Sequence, residues 1–223
     1  AMKVVDAFLE KGLLVELDET GPAAGAGRKG RLLRFEPGAY RAVGVECEGR
    51  FARVGLADMA GGVQARETIE LGDFARTRDL SPLAAAIRRM CAAANGAPVL
   101  GVCIGFPANL DPDAAAIVSY AAMDIQQPTS FAQVFPAFWR EVELPVYLEN
   151  DANLACEGEA FLRRGAGGAA NMLYLSIGSG CGGAVRLDGK LRRGARCRAG
   201  EVGAMLLQPA LGAPGRTQRR LQK

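Results

Sequence analysis

Val99–Ile104 is a continuous apolar run, closed by Gly105-Phe106-Pro107. A strand that is apolar at every position has no face to give to water, so it sits in a sheet covered on both sides. Three short strands come before it, at Tyr40–Cys47, Phe51–Ala57 and Val63–Leu71, with turns at Glu48-Gly49-Arg50 and Asp58–Gly62. Ser81-Pro82 then opens a helix, with Ser81 as N-cap and Pro82 in its first position. Leu83, Ile87, Met90 and Ala94 line its buried face, and Asn95-Gly96 ends it. A second helix is expected over Phe131–Val142 with Trp139 on its inner side, a strand at Val146–Glu149, and a helix at Asn153–Leu162. Met172–Ile177 and Gly183–Leu187 read as strands on either side of a glycine loop, and Asp188-Gly189 makes the next hairpin turn. An antiparallel meander, then β-α-β crossovers, then a second strand-rich stretch, gives a mixed α/β class.

The first 35 residues have a different rhythm. Val4, Val5, Phe8 and Leu9 form a helical stripe within Met2–Lys11, and Gly12 comes directly after it. Leu13–Leu17 and Arg31–Phe35 read as two strands around Asp18–Gly30, a stretch of turn material. A helix followed by a two-stranded ribbon with a basic tip matches the second half of a winged helix; the alternative is an unrelated helix and hairpin. Glu36-Pro37-Gly38 marks the boundary between this segment and the meander.

The chain has no histidine, which removes every His-based triad, general base and metal ligand. Its net charge of +3 is unevenly placed: residues 209–223 hold Arg216, Arg219, Arg220 and Lys223 and no acid, so the rest balances at −1. A basic face for nucleic acid would therefore be local. Two places qualify, the tip with Arg28, Lys29, Arg31 and Arg34, and the stretch with Lys190, Arg192, Arg193, Arg196 and Arg198. The six cysteines, at 47, 91, 103, 156, 181 and 197, form no C-x-x-C pair, and no apolar run approaches the ~18 residues of a membrane span. They read as reduced thiols of a cytoplasmic protein with no membrane partner. Nothing in the chain calls for a cofactor or a metal.

Four stretches carry chemical interest. Glu149-Asn150-Asp151-Ala152-Asn153 falls at the carboxyl end of a strand, the edge where open α/β sheets bind ligands. Asp151 could take a proton from a hydroxyl and Asn150 could hold a polyol; alternatively Asp151 is only a helix N-cap. Gly178-Ser179-Gly180-Cys181-Gly182-Gly183 could cradle an anion on backbone N–H groups, or be a plain hairpin loop. Ala199-Gly200-Glu201-Val202-Gly203-Ala204 presents one carboxylate from a tight glycine-flanked turn. Gly27-Arg28-Lys29-Gly30-Arg31 could contact DNA phosphates, or be a solvated charge run.

In this order and at these separations, Glu149–Asn153, Leu175–Gly183, Leu187-Asp188-Gly189-Lys190-Leu191 and Gly200-Glu201-Val202-Gly203 resemble the ROK family of repressors and sugar kinases over about residues 36–207. Val5–Leu14 resembles the recognition-helix end and wing of the repressor branch, a segment absent from the kinases. The resemblance implies an actin-like, ribonuclease-H-like sugar-sensing domain preceded by the remnant of a winged helix. It divides the chain into residues 1–35, the C-terminal part of the winged helix; 36–122, a first lobe; and 123–223, the start of a second lobe with a basic tail. It implies sugar contacts at Asn150, Asp151 and Glu201, a phosphate loop at Gly178, Ser179, Gly180 and Gly182, and DNA contacts at Lys3, Arg28, Lys29 and Arg31. In a kinase Asp151 would be the catalytic base.

The departures from the kinase pattern are informative. The kinases' D-x-G-x-T hairpin, which holds ATP phosphates and metal, is replaced by Glu46-Cys47-Glu48-Gly49-Arg50. The hydroxyl is gone, and a second carboxylate would face triphosphate at a cost on the order of a kcal/mol or more. Ala204 stands where the family's G-E-V-G-H motif has its sugar- or zinc-binding His, and the Cys-rich zinc element is missing. The Asn after the family's G-x-P-G loop gives way near Met123. The expectation is a piece of a sugar-responsive, oligomeric transcriptional regulator, without enzymatic activity, that binds DNA when intact and takes a sugar or sugar-phosphate effector. An ATP-dependent sugar kinase, or a degenerate member that binds neither ligand, are the alternatives.

Overall fold

The computed structural model describes residues 2–20, 31–164, 169–178 and 180–205. Arg28, Lys29, Ser179 and the basic tail lie outside the described residues.

Helix α1 (Met2–Glu10) leads into an antiparallel ribbon of β1 (Leu14–Thr20) and β2 (Arg31–Phe35). Asp18–Thr20, expected as turn, is strand: the ribbon's register shifts between Glu16 and Thr20 and so keeps Thr20 opposite Arg31. Val5 and Leu9 are half-buried, while Val4, Phe8 and every residue of β2 are exposed. At the expected boundary, Glu36 accepts the Gly38 N–H at 3.3 Å and caps a single turn over Pro37–Ala39.

Next come β3 (Arg41–Glu48), β4 (Phe51–Asp58) and β5 (Val63–Glu70), an antiparallel meander whose β3–β4 pairing is in strict register and whose β4–β5 pairing shifts between Leu56 and Ala57. Alternation places Val43, Val45, Cys47, Ala52, Val54 and Leu56 on its buried face. After a single helical turn, α2 (Phe74–Thr77), helix α3 (Ser81–Ala92) packs on β4 and β5. Its N-cap is Leu80, without a side-chain bond; Ser81 is the first helical residue, because Asp79 accepts the Ser81 N–H at 2.8 Å in place of a Ser cap.

The apolar run forms β6 (Val99–Phe106), parallel to β3. Both its faces are covered from Gly101 onward, whereas Leu100 is 47% exposed. A small antiparallel sheet comes next, of β7 (Asn109–Asp111), β8 (Ala116–Ser119) and β9 (Thr129–Ser130). The helix expected over Phe131–Val142 is two short ones, α4 (Phe131–Val134) and α5 (Pro136–Glu141). Pro136 drives Phe135 out of the helical region, to φ −126°. Phe131, Phe135 and Phe138 are the fully buried aromatics of this stretch, with Trp139 half-buried beside them. Strand β10 (Val146–Asn150) pairs in parallel with β6 and completes a five-stranded sheet of order β10-β6-β3-β4-β5, so the sheet takes strands from both sides of residue 122. Its core is aromatic: Phe106 meets Phe74, Tyr120, Phe131 and Phe135 edge-on, with ring centroids 5.5–5.9 Å away.

Helix α6 (Asp151–Leu162) then crosses to a second sheet of β11 (Met172–Ile177), β12 (Cys181–Leu187) and β13 (Lys190–Leu191). It packs on β6 and β10 on one side and on β11 and β12 on the other. Among the described residues, no helix is long and apolar enough to cross a membrane.

Candidate functional site

Because β3, β6 and β10 are parallel, their carboxyl ends share one edge of the sheet. Asn150 ends β10 there with extended backbone, φ −59° and ψ 141°. Its Oδ1 accepts the Asn153 N–H at 3.1 Å, and its Nδ2 donates to the Ala108 carbonyl at 3.2 Å. Asn150 is therefore the N-cap of α6, and Asp151 is the first helical residue, which leaves the Asp151 carboxyl free of the cap role. That carboxyl accepts the Ala152 N–H at 2.8 Å. Burial pushes its pKa up, and the nearby charge of Glu46 adds to this against the hydrogen bonds from Ala152 and Asn150.

Glu201 comes to the same place from the other sheet. Gly200 has φ +89°, and a Cβ there would overlap the Gly183 carbonyl, so only glycine lets this turn lie directly on β12. The Val202 N–H closes the turn on the Gly200 carbonyl at 2.6 Å. Burial raises the Glu201 pKa, the charge of Asp151 raises it further, and Arg198 opposes both. The structure thus brings Asn150, Asp151 and Glu201 together at the start of α6. Two carboxyls that accept O–H bonds beside an amide that caps the helix form a set suited to a polyol, and an Asp whose pKa is raised is a better proton acceptor than an ordinary one.

The glycine segment divides. Gly178 and Gly180 are exposed, and the Gly178 N–H is already bonded to the Gly180 carbonyl at 2.9 Å. Gly182 is part of β12, opposite Ser176, and a Cβ there would lie 3.6 Å from that of Ala152 in the first turn of α6.

On the first hairpin the two-residue turn Gly49-Arg50 fixes the register and sets Arg53 directly across from Glu46. Arg53 spans both carboxylates, at 2.7 Å from Glu46 and 2.8 Å from Glu48. The hydrogen bonds that it donates to Glu46 first, and to Glu48, hold its pKa above the ordinary value. These exposed pairs are each worth only ~0.2–1 kcal/mol, yet they occupy both carboxylates of the hairpin. Sequence reading missed Arg53, although the turn length alone would have placed it. Behind the hairpin, burial first and the charges of Asp151 and Glu46 next push the Cys47 thiol up to about 12, so it stays protonated and unreactive at neutral pH.

Sequence reading also missed Glu149 and Arg193, an ion pair across 44 residues of chain. Of the residues expected at DNA, Lys3 is exposed on α1, and Arg31 is paired with Glu16 across the ribbon. All six cysteines are free thiols, with Cys47 and Cys156 fully buried. Among the described residues, no three Asp, Glu or Cys side chains gather in a metal-holding group.

Several known proteins are similar to this chain. A glucokinase from Halalkalibacterium halodurans is 36% identical over 120 residues, 52% of this chain and 34% of that protein. A xylose repressor from Caldicellulosiruptor bescii is 28% identical over 204 residues, 90% of this chain and 49% of the repressor. The chain thus spans half or less of the length of these relatives. Among solved structures, a ROK family transcriptional regulator homologous to the E. coli MLC protein superposes with a TM-score of 0.71 at 18% identity, over 94% of this chain and 52% of that one. The actin-like α/β fold expected from the resemblance is the fold of this chain. The ROK family model matches residues 42–217, most of the sequence, and the chain belongs to the ROK family.

Proposed function

We propose that this chain is part of a sugar-responsive transcriptional regulator of the ROK family. The observation that carries this reading is where the similarity extends. Residues 1–35 are about a sixth of the sequence, so a match over 94% of it must include most of them, and one over 90% must include some. Both of those matches are to regulators, while the glucokinase match covers 52% and does not require that segment. A helix and a two-stranded ribbon stand there, as the tail of a recognition helix and a wing would. The Arg53 clamp supports the same reading, because the hairpin carboxylates that would have to admit a triphosphate and its metal already hold a guanidinium.

In this reading Asn150, Asp151 and Glu201 hold a sugar or sugar phosphate, and Gly178, Ser179, Gly180 and Gly182 border it. Lys3, Arg28, Lys29 and Arg31 contact DNA phosphates. Effector binding changes the geometry of a homo-oligomer in the cytoplasm, and so the spacing of its DNA-binding heads. A sugar kinase is the second reading, favoured by the raised pKa of Asp151 at the position of the kinases' base.

Two measurements test this. A labelled random duplex titrated at several salt concentrations should bind weakly, with a log–log slope of roughly −3 to −4.5 for three to five phosphates, and replacing Arg28, Lys29 and Arg31 by Ala should flatten it. If that variant binds like the parent while variants of the Lys190–Arg198 stretch or the tail lose binding, the wing assignment fails. ADP release over a panel of hexoses, pentoses and acetylated amino sugars should be absent. Turnover that Asp151→Asn abolishes would establish the kinase instead.

A further inference from the structure

Among the described residues, Glu149 is the one charged side chain that is buried, at 7% exposure. A carboxylate taken out of water is costly unless every oxygen is partnered. Here each one is. Oε1 accepts the Asn150 N–H and the Asn153 Nδ2, both at 3.0 Å. Oε2 takes the Arg193 guanidinium through Nε at 2.9 Å and a second nitrogen at 2.5 Å. The partners belong to different parts of the fold. Glu149 is on β10 of the central sheet, one residue before Asn150 and two before Asp151. Arg193 lies just past β13 and opens the loop that ends at Glu201; its carbonyl accepts the Ala199 N–H at 2.9 Å, which closes that loop at its neck. Neither β10 nor β12 needs the pair for its strand pairing, since β10 is held by β6 and β12 by β11 and β13.

We propose that Arg193 is a positioning residue that, through Glu149, sets the spacing between Asn150 and Asp151 on one sheet and Glu201 on the other without itself touching the ligand. The assignment of a ligand to those three residues rests on the sugar reading above; the control of their spacing does not.

Three variants test it: Arg193→Met, which keeps most of the stem and loses the charge; Glu149→Gln, which keeps the acceptor for Asn150 and Asn153; and Arg193→Lys. Hydrogen exchange should accelerate at least tenfold at the Ala199 and Val202 N–H groups in Arg193→Met and Glu149→Gln, with Val54 and Val102 in the central sheet unchanged. D-xylose and D-glucose, titrated by calorimetry, should bind at least tenfold more weakly to both variants, and Arg193→Lys should recover part of the loss. Parent-like exchange at Ala199 and Val202 overturns the proposal. So does faster exchange throughout the central sheet, which would make the pair a general prop of the fold, and so does loosened exchange with unaltered sugar affinity. If the parent binds neither sugar, the sugar reading fails for these two ligands, and the exchange measurement alone decides whether Arg193 sets the spacing.

Discussion

On one side of α6, the central sheet buries Phe74, Phe106, Phe131, Phe135 and Phe138 to 2% exposure or less. On the other side, β11 leaves Leu173, Leu175 and Ile177 at 63%, 52% and 83% exposure. The first sheet has its own hydrophobic core. Among the described residues, the second is held by one face of α6, by the backbone contact of Gly200 on Gly183, and by the Arg193–Glu149 pair. The candidate site residues come from both, Asn150 and Asp151 from the well-packed side and Glu201 from the lightly packed one. A ligand held between them would therefore bridge a rigid edge and a soft one, and the softer side is where its binding energy would have structural effect.

The largest effect that could break this comparison is in the aromatic core. Phe106→Ala should cost about 3–5 kcal/mol in denaturant unfolding, because it removes a fully buried ring that four others contact. That is a large part of the ~5–15 kcal/mol that stabilises an ordinary domain. A loss below about 1 kcal/mol would mean that the aromatic cluster is not what holds the central sheet. Next in size, Gly200→Ala should cost on the order of 1–3 kcal/mol, since the added methyl overlaps the Gly183 carbonyl and the backbone is left-handed. Its effect should be confined to exchange rates in β11–β13; equal loosening of β3 and β6 would show that the two sheets are not independent.

A smaller, pH-dependent effect sharpens the contrast at the site. The folded-state pKa of Asp151 lies above its ordinary 3.8, so folding favours the protonated form. The stabilisation from that proton is complete below 3.8 and is lost as pH rises through the folded value, so at neutral pH the ionised carboxylate is a net cost. Asp151→Asn should accordingly raise Tm at pH 7 and lose its advantage as the pH falls below 3.8. A lower Tm at pH 7 would show instead that the charge is stabilised where it sits. The smallest effect is expected on β11: Leu175→Ala should change stability by no more than about 0.5 kcal/mol. A cost near that of Phe106→Ala would mean that this face is covered in solution, and the contrast between the sheets would fall.

The parts of the molecule readable from sequence were those in which one local pattern dominates. The meander showed through alternation at Val43, Val45 and Cys47, and β6 through its unbroken apolar run. The small sheet of β7, β8 and β9 was not readable, because strands of two to four residues are too short for any period to register. The break at Phe135 was written in Pro136, but the spacing of Phe131, Phe135 and Phe138 imitates a continuous helix. At the candidate site, Asn150, Asp151 and Glu201 were singled out by their motifs, and they lie near one another in the fold. The Glu149–Arg193 pair was not, since Arg193 is one of five basic residues between Lys190 and Arg198 and nothing local marks which of them turns inward.

One property of α6 concerns motion. The helix is roughly 18 Å long at ~1.5 Å per residue, and its first turn carries the candidate ligand residues. Phe161 in its last turn lies against the β4–β5 turn so closely that a Cβ on Gly61 would come 2.9 Å from the ring, and Gly61 sits at φ +88°. From that same turn the Met59 N–H donates to the Pro37 carbonyl at 3.1 Å, in the short segment that joins the ribbon to the sheet. The helix thus joins the candidate ligand residues in its first turn to the β4–β5 turn beside its last. If it tilted by about 5° at Asn150, its far end would swing by roughly 1.5 Å, enough to change the contact of Phe161 with that turn.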